Sequence, residues 1–180
     1  MPSLKKGSFS LNFGIVRLSA DLAEDDRQCA WELYTELSTR VAVTGKSKDN
    51  ECADFSGELY IESLESLYKF FQESRSIMRR FPVGKIGGSQ QNHLGVLINN
   101  MLEDVVRPFL EKWQITFRHW WENASNPRTP PLQRQEEFPD LKEFLEDWAS
   151  VRWLLRGVMK ELITVYDLVD VGAKQLVTNA

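Results

Sequence analysis

Along the chain, apolar residues recur mostly at steps of three and four, the spacing that gathers them on one face of a helix. Four long stretches carry this pattern. The longest runs from Ser89 to Asn123, where Leu94, Leu97, Ile98, Met101, Leu102, Val105, Phe109, Trp113, Phe117 and Trp120 keep the period. At 1.5 Å per residue it would measure about 50 Å, the span of a small domain. Pro108 stands at its centre. There a missing N–H, and a ring crowding the Asp104 carbonyl, cost about 3 kcal/mol. A kink over 104–108 is therefore expected, with the helix continuing beyond it.

The other three stretches read similarly. Residues 20–43 carry Leu22, Asp26, Ala30, Leu33, Leu37 and Val41 on one face, with Ser19 or Asp21 as cap and acidic residues in the first turns. Residues 57–81 carry Tyr60, Ile61, Leu64, Leu67, Tyr68, Phe71, Met78 and Phe81, and Pro82 ends them. The last stretch opens with Pro139 at the first helical position and runs through Leu141, Phe144, Trp148, Leu155 and Leu162 to about Gly172. Residues 44–56 are polar and turn-rich, and the proline-rich 124–138 are expected to be irregular and partly extended. At the N-terminus, 9–18 alternate, with Phe9, Leu11, Phe13 and Ile15 on one side. They predict a single strand or extended segment, whose partner would be a short strand elsewhere, a second copy or another protein. The predicted fold is mainly α: one domain, with 1–18 extended and 19–180 an antiparallel four-helix bundle of long helices, the third kinked near Pro108.

Composition adds bounds rather than identity. The 180 residues are 42% hydrophobic and 27% charged, as in an ordinary globular chain with one core. A net charge of -4 argues against non-specific wrapping of nucleic acid. There is no long uncharged apolar run, so no membrane span is expected, and the N-terminus lacks the apolar segment of a secretory leader. Cys29 and Cys52, without a CxxC, read as reduced structural thiols and hence a cytoplasmic protein.

Motifs for chemistry are absent. His93 and His119 lie 26 residues apart on one predicted helix, and the positions three before them are Gln90 and Thr116, not the glutamates of a di-iron bundle. No metal or cofactor is expected, and catalysis is not favoured. Two clusters remain. Trp113, Phe117, Trp120 and Trp121 fall within nine positions, and Phe144, Trp148 and Trp153 of the last helix are placed to face them. With Arg118, Arg152 and Arg156 alongside partly exposed tryptophans, this is the composition of an interface hot spot, and equally that of a thick aromatic core at one bundle end with arginines stacked on ring edges. The leading expectation is a non-catalytic interaction, adaptor or oligomerisation module acting through Trp113, Arg118, Trp120, Trp121, Trp153 and Arg156, with another protein or a second copy as partner. The alternative is an anion site at Arg75, Arg79, Arg80, Lys85 and Ser89, where Gly87 and Gly88 precede a helix start. It would take a phosphate-bearing ligand or a nucleic-acid end, although GKIGGS lacks the spacing of a phosphate-binding P-loop.

Overall fold

Strand β1 (Ser3–Lys6) pairs antiparallel with β2 (Phe9–Asn12), Leu4 opposite Leu11 and Lys6 opposite Phe9. The alternating segment thus finds its partner in the residues just before it, where Lys5 and Lys6 mask a strand pattern. This is a computed structural model that describes residues 3–12, 24–80, 94–123 and 128–171, so Phe13 and Ile15 lie outside the described residues. The reversal between the strands uses Gly7 at φ +61°, so close to the last helix that a Cβ there would fall 2.7 Å from Ser150 Oγ. Phe9 and Leu11 are buried beneath the hairpin.

The remainder is mainly helical. Helix α1 (Glu24–Ser38) starts with Glu24, Asp25 and Asp26, as the helix dipole favours, and buries Leu33, Tyr34 and Leu37. The run predicted to reach 43 stops early. Arg40 is extended, and α2 (Val41–Thr44) is a separate single turn that leaves Val41 exposed. Helix α3 (Tyr60–Arg80) buries Tyr60, Leu64, Leu67, Phe70, Ser74 and Ile77. The predicted stripe ran through Tyr68 and Phe71 instead. Two lines of three-and-four steps diverge after Leu67, and the buried one passes through Ser74, whose hydroxyl disguises it.

The central stretch is described as α4 (Leu94–Met101), a π turn (Leu102–Val106) and α5 (Arg107–Asn123). The irregularity expected at 104–108 takes this form. Arg107 N–H bonds to Leu102 O, five residues back. In that register position 108 would donate to Glu103, and proline has no N–H to give. The wider turn also relieves the crowding that a proline ring imposes on the carbonyl four residues back.

The proline-rich connection is more regular than expected: α6 (Pro131–Arg134), with Pro131 at its first position, leads into a 3₁₀ turn over Gln135–Glu137. Gln135 is buried and reaches the start of α3. Its Oε1 accepts from Tyr60 N at 2.9 Å, and its Nε2 donates to Glu58 O at 2.8 Å. Helix α7 (Leu141–Tyr166) ends before the predicted Gly172. Asp167 turns left-handed at φ +50°, and Leu168 N–H returns to Ile163 O.

Helix α7 meets α1, α2, α5 and both strands. Arg152 lies at its centre, fully buried. Of the two readings of this arginine, it follows the aromatic core rather than a partly exposed surface, lying against the Phe55 and Trp148 rings. Its Nε donates to Ala42 O at 3.1 Å, and Trp148 Nε1 donates to the same carbonyl at 3.0 Å. The guanidinium also pairs with Glu58 at 2.6 Å and covers the Phe55 ring at 4.3 Å. One turn on, Arg156 donates to Thr44 O, Lys46 O and Asp49 O. A helix as short as α2 leaves most of its carbonyls without helical partners, and α7 supplies donors for them.

Because Glu58 is nearly as buried as Arg152, Arg152→Met is expected to lower stability by about 3–5 kcal/mol, through an unpaired buried carboxylate. The double change Arg152→Met/Glu58→Leu should recover a large part of that loss in urea unfolding. An equal loss in both proteins would show that the pair does not set the cost.

The loop after α2 has a pH dependence of its own. Asp49 accepts from the Asp54 and Glu51 N–H groups, and Asp54 from Lys46 Nζ, Ser56 Oγ and Ser56 N–H. These bonds hold both carboxyls below the usual aspartate range. A depressed folded value stabilises the ionised loop above the unfolded value of about 4, and that contribution is lost as pH falls through the folded value. Amide exchange at Asp54 and Ser56, corrected for intrinsic rates, should be flat from neutral pH to about 5 and accelerate below about 4 ahead of the α7 amides. Exchange that tracks α7 throughout would refute a local acid-sensitive clamp.

Candidate functional site

The six residues predicted to form one partner surface are dispersed. Trp113 is in the core: its Nε1 donates to Asp147 Oδ2 at 2.9 Å, and its ring edge meets Phe144. Lys112 Nζ reaches the same carboxylate oxygen at 2.8 Å, and Ser8 Oγ of the hairpin reaches the other. This buried carboxylate ties the hairpin, α5 and α7 together. Trp120 and Trp121 are half-buried at the end of α5. Arg134 lies 3.6 Å from the Trp121 ring centroid, and Phe117 is nearly parallel to that ring at 6.1 Å. Arg118 pairs with Glu65 of α3 at 3.3 Å. Trp153 lies beneath Lys6 of β1, and Arg156 is engaged with the 44–49 carbonyls. From Phe144 to Trp153 is about 13 Å along α7, so Trp153 does not join the α5 aromatics.

The alternative anion set is also divided. Arg80 pairs with Glu32 of α1, while Arg75 and Arg79 are exposed on α3. Arg75 sits 5.7 Å from the Phe71 ring centroid. Lys85, Ser89, Gly87, Gly88 and His93 lie outside the described residues.

A groove between α3 and α5 was not anticipated. Its first part, about 460 Å³, is lined from α3 by Tyr68, Phe71 and Arg75, and from the π turn and α5 by Glu103, Arg107, Leu110, Glu111, Gln114 and Ile115. A second cleft of about 420 Å³ shares Tyr68, Gln114 and Ile115 and extends to Arg118, His119 and Glu122. Ile115 is 74% exposed and Tyr68 41%, and both line both parts of this groove. The apolar wall on α3 follows from the divergence after Leu67. The core takes Phe70 and Ile77, and the second line, Tyr68 and Phe71, is left to the surface.

The charges along the groove are unevenly matched. Arg107 is bracketed by Glu103 and Glu111, each at 2.8 Å, and their carboxylates hold its guanidinium above the ordinary arginine value. Arg75 has no carboxylate partner among the described residues.

Among the described residues no group of three His, Cys, Asp or Glu side chains is placed to hold a metal ion, and no helix is long and apolar enough to cross a membrane. No family model matches the chain, and no curated protein or solved structure is significantly similar to it.

Both cysteines are free and buried. Burial, reinforced by Asp26 and Glu32, pushes the Cys29 thiol up to about 12, and burial also raises Cys52. A thiol held protonated is a poor nucleophile. The native protein should therefore react negligibly with a disulfide reagent at neutral pH and release two equivalents once denatured. Rapid native labelling of either position would contradict this.

Proposed function

We propose that this chain is a non-catalytic protein-interaction module whose docking surface is the α3–α5 groove, with Arg118, Trp120 and Trp121 at the α5 end. We read the long helices as an antiparallel four-helix scaffold that holds the two groove walls in register, and the protein as cytoplasmic. The observation that carries the reading is the exposure of Ile115 and Tyr68 in both parts of the groove. Large apolar side chains this exposed, lining one groove and flanked by arginines, have the make-up of a hot spot with a polar rim. Binding would cover apolar surface that is now in water, with helix walls whose backbone is already hydrogen-bonded. The partner is another protein or a second copy of the chain. For the phosphate-binding alternative, Arg75 and Arg79 are exposed and Arg80 is paired with Glu32, while Lys85 and Ser89 lie outside the described residues.

Ile115→Glu places a charge in the groove without touching the core. It should abolish partner capture or self-association, measured by light scattering and affinity purification from the native host, while leaving helicity and melting temperature unchanged. Trp121→Ala should weaken the same binding by about tenfold, as for a rim-side aromatic anchor. A protein carrying Ile115→Glu that keeps its partners and its mass in solution would rule the groove out.

A further inference from the structure

We draw no further inference here: the strongest candidate, the groove between α3 and α5, carries nothing beyond the reading above, because Arg75 and Arg107 are balanced in its lining by Glu103 and Glu111 and nothing in the structure shows what covers it.

Discussion

Everything on one side of this molecule hangs on carbonyl groups that their own helix cannot satisfy. The single turn of α2 leaves Ala42 O and Thr44 O without helical partners. Helix α7 reaches them with Trp148 and Arg152 in the first case and Arg156 in the second. Arg152 then holds Glu58, the Glu58 carbonyl accepts from Gln135, and Gln135 accepts from the first N–H of α3. Four segments far apart in sequence are thus joined by one run of buried polar contacts. Such a run is costly to leave half-made, which is why it specifies where the 45–59 loop lies as well as stabilising it.

The second buried polar centre has the same logic at the other face of α7. Asp147 receives donors from the hairpin and from two consecutive residues of α5. A carboxylate this enclosed is tolerable only with its lone pairs occupied. It therefore fixes the orientation of Trp113, and with it the aromatic layer of Phe117, Phe138 and Phe144. The groove walls are positioned in turn, since α5 cannot rotate without breaking these bonds.

How much of this the sequence discloses depends on whether the residues involved look apolar. The helices α3, α4–α5 and α7 are legible because Leu, Phe and Val mark them at regular steps. The early stop of α1 is not, because Thr39 and Arg40 break no pattern strongly. The buried line of α3 is hidden by Ser74, and the most buried charge among the described residues, Arg152, looks like a surface arginine beside tryptophans. The groove escapes notice for a related reason. Tyr68 and Phe71 fit a core stripe by spacing, and only the packing of Phe70 and Ile77 shows that the stripe lies one position away. The split of the predicted tryptophan surface has a simpler cause, since closeness on α5 says nothing of the distance to Trp153 along α7.

The π turn at Leu102–Val106 has a consequence for how the two halves of the central stretch relate. A straight α-helix is a rigid phase: the direction of its first side chain dictates that of every later one. One extra residue within a turn advances everything downstream by about 100°. Helix α4 can therefore address β2 and α3 while α5 addresses α3 and α7, each with its own azimuth. The protein obtains two independently aimed rods from a continuous helical segment without the loop that two separate helices would need. Pro108 makes the arrangement hard to undo, because regular α winding would bring its ring back against the Asp104 carbonyl.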